Sequence, residues 1–520
     1  MLSPVLSTTN AEDPIELSIN NNVSFKSQNV MKPSGWDIDV ETISINKTGT
    51  DFWAYAMQIK NFYIQNEITE IDEYVYEFDV TEEQNGRVMA YLVNSERDSV
   101  CYDIDYNTIN CYDLYLQADG IIYPNKNMDY YFAMMLNLNN INNLGGIDTS
   151  EVTSMFGTFG GFDSFAQEIS LDLSNFDTSE VTNMSYMFYR TGYMDENFTL
   201  DVSNFNTSKV TDMSGMFALT GHYSSDFTLD LSKFDTSNVT NMSGMFVATG
   251  YISENFTLDI SNFDTSNVTN MSAMFDSTGY NSENLTLDIR NFDTSNVTNM
   301  SGMFESTGYN NPNFTLDVSN FDTGNVTDMS GMFYATGYNN PNFTLDVSNF
   351  DTSKVTDMSY MFNSTGYNSN KLNTSITISN PNTTSYQNMF YNVATKEGSR
   401  IKVNYTLETE ELVDKMIETK SSNSNVVKGN LIVDVDNLAI GDEIHISGEK
   451  FNIISQTDDT ITMLTQYNLD TDYKQSTTAN YLTFSDDCGW EYAPGPKEID
   501  IQAWSTNPKT YVNEYVEYLK

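Results

Sequence analysis

Residues 284–309 change their polarity rhythm partway along. Leu285, Leu287 and Ile289 alternate with Thr286 and Asp288, the period-two pattern of a half-buried strand. Phe292 follows, and then Asp293, Thr294 and Ser295 offer side-chain oxygens of the kind that cap a helix start. Val297, Met300, Met303 and Phe304 come at helix-like spacing, and these predict one apolar face of two short turns. Thr307-Gly308-Tyr309 closes the unit with glycine where a left-handed residue would end a helix. An Asn-rich loop then leads to the next strand.

The same rhythm recurs. The Phe ending each Met-Phe pair falls at Phe188, Phe217, Phe246, Phe275, Phe304, Phe333 and Phe362, a constant step of 29 residues. Worn copies end at Phe159 and Phe390, as the caps of an array would. One unit cannot bury both of its faces, but stacked copies can, with strands pairing in parallel about 4.8 Å apart. The expected fold is therefore an α/β repeat solenoid of the leucine-rich-repeat kind, with short parallel strands and short helices, flanked by small β-rich terminal domains. The expected boundaries are a signal remnant at 1–11, a β-sandwich-like domain at 12–86, a lead-in cap at 87–150, the array at 151–390, a C-terminal cap at 391–429, and a β-rich domain with a final helix at 430–520. Thr9-Asn10-Ala11 supplies the small-residue pattern of a cleavage site.

Composition changes the picture through charge. The 520 residues carry 72 acidic and 24 basic side chains, a formal net charge of -48. Such a chain repels nucleic-acid phosphates and anionic lipid; its acid excess reads either as solubility at a crowded or salty outer surface or as attraction for cations such as Ca²⁺ or for basic proteins. No apolar stretch reaches the length of a membrane-spanning helix. Cys101 and Cys111 flank an Asn-containing turn, and the sequence leaves open whether they form a disulfide or two buried thiols; Cys488 is left over.

The phrase Leu-Asp-x-Ser-x-Phe-Asp-Thr-Ser-x-Val-Thr-x-Met-Ser-x-Met-Phe, recurring from about Ser170 to Phe362, resembles the repeat of BspA-type leucine-rich-repeat surface proteins of bacteria. The lead-in, with "RVMAYLVNS" and "IDTSEVTSMF", and the exit "GSRIKVNYTLETEELVDKMIETK" extend the resemblance over roughly residues 87–429. It implies an exported or surface-attached protein, extracellular, adhesive or binding a protein or glycan, and no enzyme activity. The runner-up reading is a structural subunit that self-associates through its end domains into a filament or layer.

Three columns carry candidate chemistry. Asp172, Asp201, Asp230, Asp259, Asp288, Asp317 and Asp346 share the polar strand position, which a leucine-rich-repeat geometry turns to the concave face; they form a candidate ligand-binding strip, for Ca²⁺ or for a basic partner. Like charges at that spacing repel by about 1–3 kcal/mol per pair, so water, cations or hydroxyl groups must offset them. Asp177, Asp235, Asp264, Asp293, Asp322 and Asp351 form a second column; Asn206 stands in once, which keeps a capping acceptor without the charge and points to capping. Tyr193, Tyr251, Tyr280, Tyr309, Tyr338 and Tyr367, interrupted by His222, form a candidate aromatic contact column. The Met column of Met242, Met271, Met300 and Met329 reads as core filling. The two histidines, His222 and His445, sit in different contexts, and no catalytic triad, zinc-ligand or phosphate-loop spacing is present.

Overall fold

The computed structural model describes residues 29–35, 37–39, 44–47, 50–96, 99–103, 105–161, 171–432, 439, 443–446, 449–456, 461–465, 481–485 and 498–502. The signal remnant at 1–11, the final helix and Cys488 lie outside the described residues. The chain divides into two compact units, Met1–Phe263 and Asp264–Lys520.

The first unit begins with a short antiparallel pair, β1 (Asp37–Asp39) and β2 (Ser44–Lys47). A 3-10 helix, Asp51–Gln58, leads into β3 (Ile59–Gln65). Strands β4 (Tyr74–Asp79), β5 (Val88–Asn94), the small hairpin β6 (Cys101–Tyr102) and β7 (Thr108–Ile109), β8 (Tyr112–Ala118) and β9 (Asn140–Asn142) follow. Five of these make one mixed sheet in the order β4-β5-β8-β3-β9, with β3 parallel to both β8 and β9. This corrects the expected boundary at residue 86. β3 and β4 precede it and β5, β8 and β9 follow it, so the segments read as a sandwich and a cap share one sheet. Its inner face buries Phe62, Leu92, Leu114 and Leu116, and Phe52 of the 3-10 helix packs edge-on against Phe62 while stacking on the buried Trp53. The Trp53 indole N–H donates to the Tyr131 carbonyl at 3.0 Å, which ties this core to the start of the repeats.

The repeats also begin earlier than the 29-residue stepping reaches. Met128, Tyr130, Phe132 and Met134 donate their amides to Ser154, Phe156, Thr158 and Gly160 at 2.8–3.0 Å. The Phe132 ring stacks on Phe159 at 5.1 Å. In the first unit the Phe column then continues through Phe159, Phe188, Phe217 and Phe246, with ring centroids 5.7–5.9 Å apart. In the second unit Phe275, Phe304, Phe333, Phe362 and Phe390 repeat the ladder at 5.8–5.9 Å. Val297, Met300, Met303 and Phe304 are fully buried, as core positions should be.

The expected helix in each repeat is replaced by overlapping turns. Met303, Glu305 and Thr307 donate amides three residues back, to Met300, Gly302 and Phe304, at 2.9–3.2 Å. The intervening Met300, Gly302, Phe304 and Ser306 donate instead to Asp328, Ser330, Met332 and Tyr334 of the next repeat, at 2.7–3.0 Å. Alternate amides thus serve the turn and the neighbouring repeat, a partition a helix cannot make, because its amides all point along one axis. Left-handed residues produce the alternation: Gly302, Ser306 and Gly308 have φ of 62°, 52° and 56°. Gly308 has a second constraint, since a Cβ there would fall 2.5 Å from the Phe314 ring. Among the described residues of the 29-residue repeats, the strand expectation holds as a ladder at β10 (Thr228–Asp230) and β11 (Thr257–Asp259), paired in parallel with Asp230 opposite Asp259, and again where the array ends. Elsewhere parallel bridges join repeats at single residues, such as Asn299 with Asp328.

The second unit ends its repeats in a parallel sheet of β12 (Asn373–Ile378), β13 (Arg400–Tyr405) and β14 (Val426–Leu431). Helix α1 (Glu410–Ile417) connects β13 to β14 and buries Val413 and Met416. A five-stranded sheet follows, β15 (Glu443–Ile446), β16 (Glu449–Gln456), β17 (Ile461–Thr465), β18 (Tyr481–Ser485) and β19 (Glu498–Gln502), antiparallel except for the last pair. The molecule is made of tandem repeats, mostly sheet, with few helices among the described residues.

Candidate interaction surface

Each Asp of the first column closes a local turn before it does anything else. One carboxylate oxygen accepts the amide two residues on: Ser174 to Asp172, Ser203 to Asp201, Ser232 to Asp230, Ser261 to Asp259, Ser319 to Asp317 and Ser348 to Asp346, at 2.9–3.1 Å. Bonds from serine hold the carboxyls of Asp172, Asp201, Asp230 and Asp317 below the usual range. The charge of Asp230 acts on Asp201 in the opposite sense, but less strongly than the serine bonds. All of these Asp residues are exposed.

Asp288 differs because Arg290 stands where other repeats have Ser. The guanidinium donates twice, Nε to Oδ1 at 2.9 Å and Nη2 to Oδ2 at 2.7 Å. This fork pins the Asp288 pKa at about 2. The chain thereby shows a guanidinium seated on one member of its own acidic column. Among the described residues no group of three or more potential ligands stands ready to hold a metal ion.

The second Asp column caps turns, not helices. Ser179, Ser237, Ser266, Ser295 and Ser353 donate their amides to Asp177, Asp235, Asp264, Asp293 and Asp351 at 2.8–3.1 Å. Gly324 does the same to Asp322 at 2.9 Å, and Ser208 to Asn206 at 3.1 Å. Asn206 therefore does the work of an Asp without the charge.

The Tyr column stacks on itself. In the first unit His222 lies between Tyr193 and Tyr251, with centroids 4.7 and 4.6 Å apart, and Arg190 covers Tyr193 at 4.5 Å. Burial lowers the His222 pKa, and its Nδ1 sits 3.2 Å from the Ala248 carbonyl oxygen. In the second unit Tyr280, Tyr309, Tyr338 and Tyr367 stack at 4.4, 4.5 and 4.8 Å, and Lys396 lies over Tyr367 at 5.3 Å. Inner rings give their faces to one another and present only edges outward. Cys101 and Cys111 are joined as a disulfide, with Cα atoms 5.5 Å apart, bracing the β6–β7 hairpin.

Two columns have no counterpart in the sequence reading. Thr178, Thr207, Thr265, Thr294 and Thr323, all buried, each donate a hydroxyl to a backbone carbonyl of the next repeat at 2.9–3.0 Å. Beside the tyrosines, Asn310, Asn339 and Asn368 donate side-chain amides to Asn281, Asn310 and Asn339 at 2.6–2.7 Å. The signal for both was constancy at a fixed step, read as capping for the first and as loop for the second.

The family model described as "Mycoplasma protein of unknown function, DUF285" matches three overlapping stretches, residues 126–247, 194–306 and 279–405. No curated protein and no solved structure matches the chain. The first stretch opens where the amide of Thr153 reaches back to the Lys126 carbonyl, at the early repeat that the 29-residue step passes over. Together the stretches span more than half of the 520 residues, and the chain belongs to this DUF285 family of tandem-repeat proteins.

Proposed function

We propose that this is an exported cell-surface repeat protein whose tandem repeats wind as a solenoid and bind a basic extracellular protein through the exposed Asp column. The role is the one the BspA-type resemblance implies; the repeat is built from turns where that resemblance implies helices. The observation that carries the reading is Arg290 on Asp288: a bidentate guanidinium fits the column while the turn beneath it persists, its amide bond at 3.3 Å. Asp172, Asp201, Asp230 and Asp259 in the first unit, and Asp317 and Asp346 in the second, each offer the same carboxylate two residues before a Ser. One exposed ion pair contributes about 0.2–1 kcal/mol, so useful affinity requires several at once, which a regular column supplies. Protein is favoured over glycan because the inner tyrosine faces are already covered by one another.

Immobilised full-length protein challenged with polylysine, polyglutamate and dextran tests the reading. Salt-sensitive capture of polylysine alone is expected. Capture of dextran, or of no probe, would overturn it.

A further inference from the structure

A different surface, on the N-terminal sheet, carries its own inference. Strand β4 is an edge: it pairs with β5, and among the described residues no strand lies along its other side from Tyr74 to Phe78. Edge strands in stable proteins are normally short, interrupted, or covered. β4 has one such interruption, a register shift against β5 between Tyr74 and Tyr76, yet Tyr74, Val75 and Tyr76 are 46%, 39% and 36% exposed in succession, large apolar side chains beside the unpaired edge. The surrounding sequence is one-sided in charge. Residues 61–86 contain eight Asp and Glu and no Lys or Arg. Asp72, Glu73 and Glu77, directly beside the exposed apolar residues, are themselves exposed.

These features select among occupants. Glu73 stands in a left-handed turn, φ 57°, just before the strand, and a second copy of β4 laid antiparallel about Glu77 would set Glu77 opposite its own copy, where like charges are destabilising. The same acids attract a strand whose outward residues are Lys or Arg. We propose that the free edge of β4 accepts an extended, basic segment of a partner protein, which adds a sixth strand to the sheet. Main-chain hydrogen bonds along Tyr74–Phe78 would supply affinity, Val75 and Tyr76 the apolar contact, and Glu73 and Glu77 the selection for cationic side chains. The acids thus have two roles, barring self-pairing and admitting one class of partner. This surface is independent of the Asp column, and either can exist without the other.

The test is hydrogen exchange on the full chain with a nine-residue peptide that alternates lysine with valine and threonine. One control has the same composition with a central proline, and another carries glutamate for lysine. The lysine peptide alone should slow exchange of the amides at 74–78. The double variant Glu73→Lys, Glu77→Lys should raise the peptide concentration needed for that protection at least tenfold, while Asp317→Asn, Asp346→Asn should leave the protection at 74–78 intact. Both edge positions are exposed, and an unchanged melting temperature confirms that the variant folds; Glu77→Gln, with no charge reversal, should weaken binding in the same direction. Equal protection by the glutamate or proline peptide would overturn the proposal, as would protection only away from β4. Protection of β4 that grows with protein concentration and needs no peptide would assign the edge to a second copy instead, and would also overturn it.

Discussion

Thr294 grips Asp322 from one repeat to the next through a reciprocal pair of hydrogen bonds. Its Oγ1 donates to the Asp322 carbonyl at 2.9 Å and accepts the Asp322 amide at 2.8 Å. One hydroxyl thus satisfies both backbone groups of a single residue in the adjoining repeat. The same double bond joins Thr178 to Asn206, Thr207 to Asp235 and Thr265 to Asp293.

Thr294→Val keeps the shape and removes the hydroxyl. Thr294 is buried but Asp322 is exposed, so losing the two bonds costs about 0.5–1.5 kcal/mol each. Thermal unfolding should show the loss, and Thr294→Ser should recover most of it. A valine variant as stable as the parent would mean that the clamp adds nothing.

Phe304 sits in the ring ladder 5.8 Å from Phe275 and 5.9 Å from Phe333. Phe304→Ala opens a cavity between two stacked rings and should cost about 3–5 kcal/mol in urea unfolding. Phe304→Leu should cost clearly less.

The second unit should lose stability as pH rises from about 4 to 7. Burial raises the Asp276 pKa to about 6, and burial together with Asp276 raises that of Glu305 to about 7. Both folded values lie above the unfolded ones, so the folded state binds more protons in this window, and the stabilisation present below it is lost as pH climbs through the folded values. Glu305→Gln should therefore raise the melting temperature at pH 8 and leave it nearly unchanged at pH 4. His222 in the first unit should act the other way: burial lowers its pKa, so its contribution to stability is full above the ordinary histidine value of about 6.5 and is lost as pH falls below that toward the lowered folded value. His222→Tyr, which restores the column's usual residue, should remove that loss.

The period and the core were legible because Phe, Met and Val at fixed intervals have few uses other than burial. The turn-versus-helix distinction was not. Val297, Met300 and Met303 are three apart, which suits a helix face and a chain of i→i+3 turns equally. The deciding residues were Gly302 and Ser306, whose left-handed backbone sends alternate amides to the next repeat. The repeat at Met128–Met134 was hidden because Phe132 precedes Phe159 by 27 residues, not 29. Thr294 was read as part of a cap because side-chain oxygens after a strand usually serve their own turn, and nothing in one copy shows that its partner lies a repeat away. The Asp column was legible as a row of charges. Its grip on the serine amides was not, and that grip fixes the carboxylates in place and lowers the pKa of Asp172, Asp201, Asp230 and Asp317.

The most direct measurement is the affinity of polylysine for the parent and for the triple variant Asp201→Asn, Asp230→Asn, Asp259→Asn, at low and high salt. Asn206 shows that Asn can accept the same turn amide as Asp, so the fold should persist. With three exposed pairs at about 0.5 kcal/mol each, affinity should fall roughly tenfold at low salt, and the difference should shrink as salt screens it. Equal affinity in parent and variant, with both folded, would contradict a binding role for the column.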